Sequence, residues 1–198
     1  MHTRLDVICA LTLLISSLAN AEDTWPQWRG PTRDGKIEAQ PWPSSLDKDH
    51  LTRSWRVELG ASYSGPIVTR DRVFVTESKS SKYEVVRALD RSTGKELWKT
   101  QWEGALTVPF FASSNGSWIR ATPAFDGERL YVAGMRDVLV CLDAETGKEI
   151  WRVDFMKRQR TSLPAFGFVS SPLVIGDHVF VQAGSAFTKL NKHTGKTV

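Results

Sequence analysis

Short apolar runs recur along this chain, too close together and too short for helices. Gly65-Pro66-Ile67-Val68, Arg72-Val73-Phe74-Val75, Glu84 to Leu89 and Glu96 to Thr100 form one group. Thr122-Pro123-Ala124-Phe125, Arg129-Leu130-Tyr131-Val132, Asp137 to Leu142 and Glu149 to Val153 form a second. Ser171-Pro172-Leu173-Val174, His178-Val179-Phe180-Val181 and Ala186 to Leu190 begin a third, which stops at Thr197-Val198. Runs of this length bounded by Gly, Pro and Asp read as strands. Each group opens with Pro after a small residue, a place where a strand tolerates it. Arg70-Asp71, Asp126-Gly127 and Gly176-Asp177 separate the first two strands of each group and suit hairpins.

The groups also share a motif. Ala88-Leu89-Asp90-Arg91-Ser92-Thr93-Gly94-Lys95-Glu96-Leu97-Trp98 returns as Cys141-Leu142-Asp143-Ala144-Glu145-Thr146-Gly147-Lys148-Glu149-Ile150-Trp151. A third copy starts at Lys189 and carries Asn191, Thr194 and Gly195. The Asp can accept backbone N–H bonds two and three residues on, and the Gly supplies the positive φ that the hairpin loop requires. The Trp then falls on the outermost strand, where its ring can cover the seam to the next unit. Trp98 and Trp151 are expected to be largely buried, near the turn glycine of a neighbour. Repeats of about 50 residues, with four strands and no amphipathic helix in each, predict an all-β propeller of four-stranded antiparallel blades. About three blades are expected, near residues 64–100, 121–153 and 170–198, within a propeller region spanning 54–198.

Ser54-Trp55-Arg56-Val57 matches Ile150-Trp151-Arg152-Val153 and reads as another outer strand, with no inner strands before it. The third motif stops short of its Trp. Both observations predict that this is part of a longer protein whose ring has seven or eight blades. The open arc alone is then expected to self-associate through its uncovered blade faces. Residues 22–53, with Trp25-Pro26-Gln27-Trp28-Arg29-Gly30-Pro31, read as an extended arm whose rings dock on the body. Residues 1–21 read as a secretory signal: Arg4, the apolar run Val7 to Ile15, then Ala19-Asn20-Ala21. That run is well below the ~20 apolar residues of a membrane span, so no transmembrane segment is expected after cleavage. The location implied is periplasmic or secreted.

Charge and cysteines narrow the chemistry. Lys+Arg 26 against Asp+Glu 22 gives a modest +4, which does not suggest nucleic-acid binding. Cleavage would remove Cys9 and leave Cys141 alone, a buried small hydrophobe in an apolar strand. The four histidines show no ligand spacing.

The repeated motif resembles that of the pyrroloquinoline-quinone-like (PQQ-like) repeat propellers, Ala-x-Asp-x-x-Thr-Gly-Lys-x-x-Trp. Ala88 to Trp98 matches every fixed position; the second copy departs at Cys141, the third at Lys189 and Asn191. The opening Trp25 to Pro31 is similar to that of secreted bacterial members. The resemblance implies one of two classes: quinoprotein dehydrogenases of alcohols and sugars, or non-enzymatic propellers like the assembly factor BamB that bind other proteins. The motif residues Asp90, Gly94, Trp98, Asp143, Gly147, Trp151 and Gly195 are structural in both.

Two stretches between blades are candidates for function. In Phe155 to Val169, Lys157, Arg158, Arg160, Phe166 and Phe168 suit an anionic or planar ligand, or else form a solvated basic turn beside apolar packing. In Trp102 to Arg120, Phe110 and Phe111 suit an exposed partner patch, or else a lid over the channel. Asp126, Glu128, Asp137 and Asp177 read as turn residues, so no catalytic, cofactor or metal set is assigned. The function expected is a non-catalytic binding scaffold with an envelope or secreted protein partner and no cofactor. The alternative is part of a PQQ-dependent dehydrogenase, which would require the quinone with Ca²⁺.

Overall fold

A computed structural model describes residues 24–37 and 43–198. The signal segment 1–21, residues 22–23 and residues 38–42 of the arm lie outside the described residues.

The chain forms three antiparallel sheets in sequence order. The first blade is β1 (Ile67–Val68), β2 (Arg72–Lys79), β3 (Tyr83–Asp90) and β4 (Glu96–Glu103). The second is β5 (Ala124–Phe125), β6 (Arg129–Gly134), β7 (Val138–Asp143) and β8 (Glu149–Asp154). The third holds β9 (Leu173–Ile175), β10 (His178–Ala183) and β11 (Ala186–Asn191), with a bridge from Leu190 to Thr197 where a fourth strand would begin. A 3-10 turn, Phe110–Asn115, lies between the first two blades, and a short helix α1 (Phe155–Gln159) follows β8.

The central strands of blades one and two carry unbroken apolar runs because both faces of those sheets are covered, whereas in β10 only the alternate residues Val179, Val181 and Ala183 are buried. In β7 all four residues from Leu139 to Leu142 are buried. One face of blade one packs Ile67, Phe74, Val86 and Ala88 against Ile119 of the connection and Leu130, Val132 and Val140 of the second blade. Tyr131, Leu139 and Cys141 repeat the arrangement against Val179, Val181 and Leu190 of blade three. Burial pushes the Cys141 thiol up to about 12, so it is an inert core residue. The outer face of blade one packs Val73, Val75 and Leu89 against Trp55 and Val57. The 54–57 stretch forms no strand. Trp55 nonetheless takes the place of an outer-strand tryptophan.

The arm follows the free edges of the inner strands. Trp25 exchanges backbone hydrogen bonds with Val68 beside β1, at 2.6 and 3.0 Å. The Pro26 carbonyl accepts from Phe125 N–H of β5 at 2.8 Å. Arg33 donates to the Pro172 carbonyl, just before β9, at 3.1 Å. One segment thus satisfies inner-edge groups of three successive blades.

Candidate functional site

Antiparallel order gives each blade two ends. At one end lie the hairpins β1–β2, β5–β6 and β9–β10, with the Asp-Gly turns that follow β3 and β7 and the Asn-Gly turn that follows β11. At the other lie the β2–β3, β6–β7 and β10–β11 turns, with the long connections between blades.

The turn end is closed on itself. The Asp90 carboxylate accepts from Ser92 and Thr93 backbone N–H at 3.0 and 2.8 Å and from both hydroxyls, which holds its pKa down at about 2. Asp143 accepts from Thr146 in the same way, and so does Asn191 from His193 and Thr194. Gly94, Gly147 and Gly195 have φ of 71°, 72° and 68°. An indole lies over each: Trp55 on Gly94, Trp98 on Gly147 and Trp151 on Gly195, so close that a Cβ would stand 2.5–2.7 Å from the ring. Each indole N–H donates to the carbonyl just after the turn's Asp or Asn, on Arg91, Ala144 and Lys192, at 2.8, 3.0 and 3.0 Å. The rings of Trp98 and Trp151 are only partly buried, less than their size predicts, because the outer rim of the blade borders solvent. A cleft of about 830 Å³ opens here between blades one and two, lined by Arg72, Asp126, Glu128, Arg129 and Glu145 among others. Its charges compensate one another: Arg72 pairs with Glu145, Arg129 with Glu128, and Lys192 with Asp126.

The loop end differs. Leu106, Val108, Ala112 and Met135 form a small core, with Leu163 packed on it. This core draws both inter-blade connections onto the β6–β7 turn. Above it three rings meet: Phe110 and Phe111 edge to face at 5.7 Å, Phe111 and Phe166 at 6.4 Å. They remain exposed, Phe110 at 89%, Phe111 at 69% and Phe166 at 46%. The structure therefore brings residues from the two candidate stretches into one aromatic platform.

Phe168 does not belong to it, a correction to the sequence reading. It is buried and packs edge to face with Phe155 at 6.0 Å, since the positive φ of 74° at Gly167 breaks the alternation between it and Phe166. The cations also separate. Lys157 is exposed beside Asp154 at 3.2 Å. Arg158 leans to the rim and donates to the Gly195 carbonyl at 2.8 Å. Arg160, exposed, caps α1 with φ 54°. Arg136 stands exposed next to Met135, and Arg120 donates to the Gly116 carbonyl at the end of the 3-10 turn. Among the described residues Arg120, Arg136 and Arg160 form no ion pair, whereas the nearby acids Glu103 and Asp154 are each paired, with Lys82 and Lys157.

Beneath the platform lie two buried carboxylates that sequence reasoning missed or read as turn residues. Glu84 is fully buried; its oxygens accept from Trp102 Nε1 at 2.7 Å and from Met135 N–H of the next blade at 2.6 Å. Burial raises its pKa to about 7. Asp137, 1% exposed, accepts from Gly184 N–H of blade three at 2.5 Å, and burial raises its pKa too. Each stands six positions before its motif aspartate, Asp90 or Asp143. That shared offset, with the period-two alignment of Glu84 to buried Val86 and Ala88, was the available signal. Among the described residues, no three His, Cys, Asp or Glu side chains gather as a metal site.

The family model described as outer membrane protein assembly factor BamB matches residues 44–105 and 82–198. The chain belongs to this family of PQQ-like repeat propellers. An uncharacterized protein of Rickettsia conorii is 30% identical over 162 residues, 77% of this chain and 35% of that protein. Quinohemoprotein alcohol dehydrogenase ADH IIB of Pseudomonas putida is 30% identical over 109 residues, 54% of this chain and 15% of the enzyme. The crystal structure of BamB from Moraxella catarrhalis superimposes with a TM-score of 0.56 at 21% identity, over 77% of this chain and 44% of that one. The chain thus spans about a third of the Rickettsia relative and less of the enzyme. Among the described residues, no helix is long and apolar enough to cross a membrane.

Proposed function

We propose that this chain is part of a non-catalytic envelope scaffold that binds a partner protein through the Phe110–Phe111–Phe166 platform. The observation that carries the reading is the exposure of three mutually packed rings on a supported floor. Exposed aromatics over a rigid base favour protein recognition, because rings bury much area at little entropic cost. The cations Arg136 and Arg160, without ion pairs among the described residues, give this end a positive field. The occupant we assign is an acidic segment of the partner that carries apolar side chains. The family assignment supports a binding role, and the signal-like residues 1–21 support a periplasmic or secreted site of action. We read the indole-on-glycine contacts as the family's tryptophan-docking motif, which holds the blades together.

The stretch shared with the Pseudomonas putida dehydrogenase favours a second reading, a segment of a quinone enzyme. The described residues fit the quinone and Ca²⁺ poorly. Arg158 donates to the Gly195 carbonyl, and the inner-strand edges carry the arm.

The test is fluorescence anisotropy with two labelled peptides. One alternates Asp or Glu with Phe and Leu; the other has Lys in place of the acids. The acidic peptide is expected to bind, more weakly as salt rises, and to lose about tenfold or more in the F110A/F111A/F166A variant. Equal binding of the basic peptide, an unaffected variant, or binding only to anionic phosphatidylglycerol vesicles would overturn the assignment.

A further inference from the structure

The platform rests on a buried acid that has no counter-ion among the described residues. Glu84 sits at the start of β3, with Trp102 of β4 on one oxygen and the Met135 amide of the β6–β7 turn on the other. Both donors are neutral. The charged groups around it stop short of contact. Arg152 of β8 lies over the Trp102 ring, 5.3 Å from its centroid, and is paired with Glu149. Arg136 of the β6–β7 turn acts only at a distance. Of the acids on packed elements, Glu103 is bound to Lys82, and Asp137 accepts from Gly184. Among the described residues Glu84 forms no ion pair. Gly104 and Gly134 flank it so closely that a Cβ on either would overlap the carboxylate, so water is shut out by backbone.

An ionised carboxylate in such a site keeps two hydrogen bonds but loses its hydration, and two neutral donors replace little of it. The lid over it consists of the same elements that build the platform. Gly104 opens the first inter-blade connection and donates to the Lys82 carbonyl. Met135 bonds Glu84 through its amide, while its side chain packs with Leu106, Val108, Ala112 and Leu163. Loosening these loops would let water reach the acid.

Building on the binding role assigned to the platform, we propose that Glu84 is its proton-operated latch: the two inter-blade connections close over the neutral carboxyl and loosen when it ionises. The linkage has a definite sign. Exposed, the acid titrates near its ordinary 4.5; enclosed, it titrates at about 7. The closed form therefore binds the proton more tightly, is favoured below about 4.5, and loses that advantage as pH rises through about 7.

The experiment follows Glu84 in the whole chain, without any partner. Carboxyl-carbon NMR of the labelled protein gives its titration directly. Amide hydrogen exchange, corrected for intrinsic rates, gives the opening of residues 105–118 and 161–167. Between pH 5.5 and 8 the protection of both segments should fall about tenfold or more, while the core strands β6 and β7 hold theirs. In the E84Q/W102F variant the new side-chain amide oxygen still accepts from Met135, its NH₂ faces no indole donor, and nothing there can ionise, so that dependence should vanish. A Glu84 midpoint near 4.5, protection that does not change with pH, or the same dependence in the variant would overturn the latch. Peptide binding plays no part in these readouts. A latch that titrates on a platform that binds no acidic peptide would refute the binding role alone.

Discussion

The two ends of the blades are built from the same strands and do opposite things with polarity. At the turn end the polar groups of the repeated motif meet partners a few residues away or on the next blade. Asp90 is satisfied by its own loop, each indole N–H by a carbonyl of a neighbouring turn, and Arg72 by Glu145. At the loop end, large rings stay in water and carboxylates go inside. A surface that only has to hold blades together has no need of exposed Phe110 or buried Glu84. We read this contrast as joinery at the turn end and a binding surface at the loop end.

The comparison can be broken most forcefully at Trp98. Trp98→Ala removes a ring packed on Phe74 at 5.8 Å and on Gly147, plus the bond to the Ala144 carbonyl, and should cost about 3 kcal/mol in denaturant unfolding. A cost under about 0.5 kcal/mol, the surface value, would mean that the indoles are not joints. Gly147→Ala should come next, at about 2 kcal/mol or more, since the new methyl meets both a φ of 72° and the Trp98 ring. Gly176→Ala is the matched control: its φ is 54° and nothing stands within 4 Å of the added Cβ, so about 1 kcal/mol is expected. Equal costs for the two would show that the ring's closeness does not matter.

At the loop end, Phe110→Ala with Phe111→Ala should leave the melting temperature within about 2 °C of the parent while weakening acidic-peptide binding several-fold, less than the triple variant does. A large loss of stability would recast these rings as part of the fold. The smallest effect is expected at Asp90. Its folded pKa is depressed, so its contribution is present above the ordinary 3.8 and disappears as pH falls through about 2. Asp90→Asn should flatten the acid limb of the stability curve between those values and change little at pH 7. Asn191 already makes the same turn with an amide oxygen, at 3.0 and 3.1 Å.

The repeated turn was legible in the sequence because its logic is local. Asp, Thr and Gly act on each other within five residues, and the Trp falls at a fixed offset. The blades followed from the same repetition. The platform was only half legible: Phe110, Phe111 and Phe166 could each be suspected, but their meeting depends on Met135, a residue of a third segment. Phe168 could not be sorted from Phe166 by composition, because one glycine sets which of the two faces inward. Glu84 showed in the sequence only through its offset and its alignment with Val86 and Ala88; its partners were not legible, since they come from Trp102, 18 residues on, and Met135, 51 residues on. Trp55 shows the reverse case. Its neighbours suggested a strand, and the ring sits on Gly94 without one.

The central claim is that the loop end binds and the turn end holds. The most direct measurement is site-specific photocrosslinking in cells that make the full-length protein. A photoreactive phenylalanine analogue is placed either at Phe111 on the platform or at Lys148, exposed at the turn end. The account predicts a discrete protein adduct from Phe111 that disappears when Phe110 and Phe166 are also changed to Ala, and none from Lys148. Adducts of equal yield from both positions, or from Lys148 alone, would contradict it.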